Sequence, residues 1–213
     1  MRIAVLGTGR AGRTVAERLA ELGHEVAHGT RDPGATRARE DWSDVPGTTL
    51  ATFADAVDGA DLVVNASNGM ASLEVLAAAA DQLAGKVLLD LANPLDFSQG
   101  FPPSLSVCNT DSLAEQIQRA HPEARVVKAL NTMNASLMVH PESLAEAVHT
   151  VFVCGDDVGA KDAVGALLRE LGHTDVLDLG GLDAARGTEM VLPLWVRLMQ
   201  QLGTAHFQLK VVR

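Results

Sequence analysis

Apolar positions along the chain change period repeatedly. Arg2 to Leu6 is a short apolar run, fit for a strand buried on both faces. Gly7-Thr8-Gly9-Arg10-Ala11-Gly12 breaks it, and Ala11, Val15, Leu19 and Leu22 then recur at helical spacing. Gly23 stands where a helix C-terminus favours glycine, and His24 to Gly29 returns to a strand. This is β-α-β, and a parallel strand pair requires such a crossover helix.

The alternation continues. Ala60–Asn65 reads as a strand, Ala71–Leu83 as an alanine-rich helix and Lys86–Leu91 as the next strand. Asn93–Pro103, with three prolines and a glycine, reads as a loop. Ser112–Ala120 is helical, opened by the capping box Ser112-x-x-Glu115 and closed by Pro122. Arg125–Leu130 and Val148–Cys154 are strands, followed by a helix from Val158 to Leu171 and a strand from Asp175 to Leu179. Gly180-Gly181 precedes a long helical stretch to Leu202 that Pro193 is expected to kink or divide. Strands separated by helices predict an α/β fold, a Rossmann-type doubly wound parallel sheet. Residues 1–130 form its core. With no linker or repeat in sight, residues 131–213 are expected to be a small α/β C-terminal extension on the same sheet.

Composition narrows the function. Hydrophobic residues make up 47% of the 213, enough for a sizeable core. The net charge of −10 argues against nucleic-acid binding through a basic face. The most apolar stretch, Leu62–Leu83, is interrupted by Asn65, Ser67, Asn68, Glu74 and Asp81, so no membrane span is expected. The start of the chain shows no long signal-like apolar region, and a soluble, cytoplasmic protein is expected.

The candidate chemistry begins at the glycine loop. Gly7 permits a tight turn, Gly9 lets a pyrophosphate approach the backbone, and Gly12 lets the helix pack closely. Thr8, Arg10 and Ala11 complete the loop, and the helix N-terminus offers free N–H groups to phosphates. An NAD enzyme places Asp or Glu at the end of the second strand, whereas this chain has Gly29-Thr30-Arg31. A hydroxyl followed by a guanidinium suits an adenosine 2′-phosphate, which favours NADP(H), and Arg37 and Arg39 add positive charge nearby. The alternative is that Asp32 serves the ribose and Arg31 is merely solvated. Ligands of open α/β sheets lie across the carboxyl ends of the strands. Those ends carry Asn65-Ala66-Ser67-Asn68, Ala92-Asn93-Pro94 and Asn131-Thr132-Met133-Asn134, small polar residues that leave room for a flat ring.

Other residues carry blander readings. The seven histidines form no metal cluster and read as surface or edge residues, His24 and His28 included. Cys108 and Cys154 read as small buried hydrophobes. Asp156-Asp157 reads as a helix cap, and Met190, Leu194, Leu198 and Leu202 as a core or dimer face. A homodimer is expected.

Over nearly its full length the sequence resembles the coenzyme F420-dependent NADP oxidoreductases. The matching segments are Gly7-Thr8-Gly9-x-x-Gly12, Gly23-His24-Glu25-Val26, Gly29-Thr30-Arg31, Val127-Lys128-Ala129-Leu130-Asn131-Thr132, Val153-Cys154-Gly155-Asp156-Asp157 and Gly180-Gly181-Leu182 to Arg186 before Glu189. The reductase domain of six-transmembrane ferric reductases, which uses a conventional flavin, is similar. The resemblance implies hydride transfer between nicotinamide C4 and the deazaflavin C5, with no catalytic acid, base or nucleophile and no metal. By position it implies that Thr8 to Ala11 wrap the pyrophosphate and that Thr30 and Arg31 hold the 2′-phosphate. Ala66 to Asn68 would flank the ribose and nicotinamide, and Asn131 to Asn134 would face the second ring. Archaeal members resemble a His-Thr-Ile-Pro pattern at that last place, from which this sequence departs.

Three functions compete. The first is an NADP-linked oxidoreductase acting on coenzyme F420 or a flavin. The second is an NADPH-dependent reductase of a small imine or carbonyl substrate, which calls for a longer all-helical C-terminal domain. The third is a non-catalytic NADPH sensor.

Overall fold

The computed structural model describes residues 1–213. Ten strands form, β1 Arg2–Leu6, β2 Glu25–Thr30, β3 Thr48–Thr52, β4 Leu62–Asn65, β5 Val87–Asp90, β6 Leu95–Asp96, β7 Ser104–Leu105, β8 Arg125–Ala129, β9 Thr150–Gly155 and β10 Asp175–Asp178. Eight of them make one sheet in the order β10-β9-β8-β5-β4-β1-β2-β3. The helices are α1 Arg10–Glu21, α2 Pro33–Arg37, α3 Phe53–Val57, α4 Ser72–Ala77, α5 Ala80–Leu83, α6 Leu113–Ala120, α7 Ala135–Val139, α8 Val158–Glu170 and α9 Ala185–Leu202.

The central strands β1, β4, β5 and β8 are buried on both faces, which is why they read as apolar runs, whereas the edge strands β3 and β10 are only half-buried. Alternate residues feed two cores. Ile3, Val5, Val64, Leu89 and Val127 meet Val15, Leu19, Leu137, Val164 and Leu167 on one side. Ala4, Leu6, Val63, Leu88 and Val126 meet Phe53, Leu76, Leu83 and Ile117 on the other.

The sheet is mostly parallel, with one reversal: β9 runs antiparallel to β8, pairing Ala129 with Val153 and Val127 with Gly155. The only α-helix between them is α7, five residues long. Helix length alone does not set this direction, since α3 is equally short and joins β3 to the parallel β4. After β8 the chain turns at the carboxyl edge and descends. The 13-residue α8 does make a full crossover, and β10 lies parallel to β9.

Several elements differ from the sequence reading. Residues 33–57 form α2, β3 and α3, none of which was expected. The predicted helix over 71–83 divides at Ala78-Ala79, where the buried Ala79 and Leu83 turn into the core. The predicted loop over 93–103 includes β6, which forms a small antiparallel hairpin with β7. The α9 helix runs undivided through Pro193, which is exposed. Cys108 is exposed, while Cys154 is buried and its thiol is pushed up to about 12 by burial.

Four histidines, His28, His121, His149 and His173, are buried rather than at the surface. Three of them bond backbone carbonyls, His28 Nε2 at Gly7 (2.9 Å), His149 Nε2 at Pro141 (3.2 Å) and His173 Nε2 at Met138 in α7 (3.0 Å). Asp157 caps α8, accepting from the Ala160 amide at 2.7 Å, whereas Asp156 accepts from Leu182 at 2.8 Å and ties the start of the last helical stretch to β9.

Candidate functional site

Gly7 leaves β1 with φ +119°, a conformation that L side chains avoid, and a Cβ there would come within 2.6 Å of the Ala66 carbonyl oxygen. The Gly7 amide donates to Gly29 at 3.1 Å, so the turn is pinned to β2. His28 pins it a second time. A carbonyl only accepts, so the His28 proton sits on Nε2, and burial holds this ring below its ordinary pKa. Gly12 brings α1 against the turn, and a Cβ there would lie 1.8 Å from the Gly7 oxygen. Gly9 is different, because nothing lies within 4 Å of the Cβ it lacks. The amides of Arg10, Ala11 and Gly12 donate to no backbone group of the chain, and α1 has no side-chain cap. A pinned turn with an open approach and free amides fits a diphosphate.

Thr30 ends β2 nearly buried, its hydroxyl sharing a hydrogen bond with Thr36 at 2.7 Å. Arg31 is exposed and pairs with Glu74 at 2.7 Å. Asp32, the alternative ribose ligand, is the N-cap of α2, where it accepts from the Ala35 amide at 3.0 Å. Beside Arg31 lies a cleft of about 340 Å³ with an apolar wall of Phe53, Ala54, Val75 and Ala78. On the other flank Arg39 donates to the Thr8 hydroxyl at 3.2 Å while gripping Asp41. The Arg13 guanidinium lies 4.9 Å from the centre of the Trp42 ring. Residues 39–43 thus fold back over the glycine loop.

The carboxyl edges of β4, β5 and β8 are laced together. Asn65 is fully buried, donating to Ser72 at 3.1 Å and Asp90 at 2.8 Å and accepting from the Ser67 hydroxyl at 2.6 Å. Its side chain therefore shapes the loop and does not open to the cleft. Ala66 touches the glycine turn, and Asn68 is exposed and caps the short helical turn Gly69–Ala71. A Cβ on Gly69 would lie 1.9 Å from the Asn93 carbonyl oxygen, so this loop packs directly on the next. Asn93 and Asn131 bond reciprocally, Asn93 Nδ2 donating to the Asn131 carbonyl at 2.8 Å and Asn131 Nδ2 to Asn93 Oδ1 at 2.9 Å. Asn131, Thr132 and Met133 are buried, and Asn134 caps α7 while donating to the Ala205 carbonyl.

Beneath this edge lies a group that the sequence reading passed over. The Lys128 ammonium, wholly buried, meets Asp90 at 2.8 Å, Glu189 at 2.8 Å and the Ala92 carbonyl. The carboxylates raise its pKa above the ordinary lysine value despite the opposing effect of burial. Glu189 also accepts the Leu113 and Ala114 amides, at 2.9 and 3.2 Å, at the start of α6. The signal was present: Asp90 is the one charge of β5 and Lys128 the one charge among the apolar residues after Arg125 in β8, where a buried ion needs a partner.

Comparison with known proteins follows the same lines. A family model described as NADP oxidoreductase coenzyme F420-dependent matches residues 2–94. The F420-dependent NADP reductase of Methanothermobacter thermautotrophicus is 31% identical over 208 residues, covering 93% of this chain and 89% of that protein. Metalloreductase STEAP3 of Rattus norvegicus is 31% identical over 199 residues, 91% of this chain, which spans 38% of that longer protein. The crystal structure of a candidate F420-dependent NADP reductase from Arthrobacter sp. fb24 matches with TM-score 0.97 and 58% identity over 100% of both chains. No helix here is long and apolar enough to cross a membrane. With a Rossmann sheet, a pinned glycine turn and likeness to named reductases along nearly its whole length, the chain belongs to the F420-dependent NADP reductase family of NADP-dependent oxidoreductases.

Proposed function

We propose that the protein transfers hydride between NADPH and the deazaflavin coenzyme F420. The observation that carries the cofactor half is the divided fate of the β2 end: Asp32 is spent as a helix cap, while Arg31 stays exposed beside an apolar cleft. A carboxylate serving the ribose would mark NAD; an exposed guanidinium, held here only by the surface carboxylate of Glu74, serves the 2′-phosphate. In this reading the amides of Arg10 to Gly12 and the hydroxyl of Thr8 hold the pyrophosphate. Arg31 holds the 2′-phosphate, with Arg39 adding charge through Thr8 and Thr30 fixing the backbone from beneath. The acceptor half rests on the likeness to proteins named F420-dependent NADP reductases.

The two coenzymes supply the redox chemistry, a hydride passing from one ring to the other. The chain's task is then orientation and exclusion of water, for which the interlocked edge of Ser67, Asn93 and Asn131 is suited. Asn131 to Asn134 shape the acceptor side from within, since three of the four are buried. That burial also favours a second reading, a protein that binds NADPH without turnover. The apolar face of α9, where Met190, Leu194 and Leu202 are exposed, supports a homodimer. Anaerobic mixing of protein, NADPH and oxidised F420, with FAD and FMN in parallel, tests the assignment. Loss of the deazaflavin absorbance supports it, and saturable NADPH binding with no reduction of any acceptor supports the second reading.

A further inference from the structure

The buried charges of Lys128, Asp90 and Glu189 join elements far apart in the chain. From Lys128 one path runs through Asp90 to the Asn65 amide and on to Ser67, so β8 grips the loop after β4. A second runs directly to the Ala92 carbonyl, next to Asn93. A third runs through Glu189 to the first amides of α6. Thr188, the residue before Glu189, accepts from Asn131 Nδ2 at 3.1 Å, so α9 holds the loop after β8 as well.

Stability alone is a poor reason for this arrangement. Burying ions is costly, and well-packed apolar side chains in place of a buried ion pair are often neutral or stabilising. The positive and negative charges here are unequal, and the second carboxylate is balanced by the N-terminal amides of α6 rather than by a second cation. The backbone at this place is also strained. Leu130, between Lys128 and Asn131, has φ +63° and is buried, a left-handed conformation that a leucine keeps only when its surroundings enforce it.

We propose that Lys128 is a positioning residue, which through Asp90, Ala92 and Glu189 fixes the three loops at 65–68, 91–94 and 130–134 relative to one another and so sets the alignment of the hydride donor with its acceptor. The alignment half rests on the hydride-transfer reading; the fixing of the loops does not. None of its hydrogen bonds reaches the glycine loop, which the 65–68 loop meets only through Ala66, while Gly29 and His28 pin the turn from β2 and so hold the adenosine end from the other side.

The test uses the full chain carrying Lys128→Met, and beside it Asp90→Asn with Lys128→Met. The double variant removes one charge of each sign and leaves Glu189 on its two helix amides, which protects folding. Amide exchange of the unliganded proteins is followed by mass spectrometry, NADPH binding by Trp fluorescence, and turnover with F420 at saturation. Exchange at 65–68, 91–94 and 130–134 is expected to rise about tenfold or more with 7–13 unchanged, since loss of the buried charge frees local openings. The NADPH dissociation constant is expected to stay within about threefold while kcat falls on the order of 10²-fold, the scale of a small misalignment.

An unchanged kcat in a folded variant overturns the proposal, as does exchange that rises evenly over the whole sheet. Failure of both variants to fold overturns it too, by making the triad a folding determinant. If the wild-type chain reduces no F420, the hydride reading falls, and the exchange pattern alone decides whether Lys128 fixes the loops.

Discussion

A Cβ on Gly12 would stand 1.8 Å from the Gly7 carbonyl oxygen, whereas one on Gly9 would meet nothing within 4 Å. The two glycines are therefore required at different times. Gly12 is needed for the chain to fold around its turn, and Gly9 only when a ligand arrives. Gly12→Ala is predicted to lower stability by ~1–3 kcal/mol, the usual range for forced overpacking. Gly9→Ala is predicted to melt like wild type and to bind NADPH about ten- to a hundredfold more weakly, a loss of ~1.4–2.8 kcal/mol. Thermal melts and fluorescence titration separate the two. Equal melting loss in both variants would contradict the division.

Arg31→Ala is predicted to weaken NADPH binding about tenfold to a hundredfold and NADH binding far less, since a charged hydrogen bond is worth ~1.5–3 kcal/mol. Its present partner Glu74 is an exposed residue, and such surface pairs contribute little, so the variant should melt as wild type does. Equal weakening of both coenzymes would remove the case for a 2′-phosphate site.

Asn131→Ala strips a partner from Asn93 and from the Thr188 carbonyl. Buried groups left unpaired cost ~1–3 kcal/mol each, so this variant should lose stability. With the adenosine end untouched, its NADPH affinity should stay within about threefold, a difference of ~0.6 kcal/mol. A collapse of NADPH binding in the folded variant would place this loop at the coenzyme's other end.

His173 gives a pH dependence. Burial pushes its ring down to about 4, below the unfolded value of 6.5. The folded state therefore prefers the neutral ring, and this stabilisation is complete above the unfolded pKa. It is lost as pH falls from about 6.5 to about 4, by ~2–4 kcal/mol in total. His28, also lowered by burial, acts in the same direction. His173→Gln keeps a donor for the Met138 carbonyl and should flatten the loss in urea midpoints measured across that window.

Where one local rule ruled, the sequence was legible. Arg2 to Leu6, the glycine loop, Gly23 at φ +86° and Asp157 as a cap all follow from rules a few residues wide, and the structure holds them there. What stayed hidden depends on contacts across the fold. The reversal of β9 has no local signal, since α7 is no shorter than α2 and α3, which join parallel strands. The His28 ring looked peripheral on an isolated strand, yet it completes the glycine turn twenty-one residues away. Lys128 and Glu189 stood in segments that resemble the family and Asp90 in an apolar strand, with nothing local to join them; that they meet is a fact of the register between β5 and β8 and the path of α9.

The central claim is hydride exchange between NADPH and F420, and its direct test is the absorbance of the deazaflavin. Purified protein, NADPH and oxidised F420 are mixed anaerobically, with FAD and FMN run alongside and Trp quenching followed in the same cuvette. The account predicts saturable NADPH binding and rapid bleaching of the F420 band. Tight NADPH binding with an unbleached F420 band would contradict it.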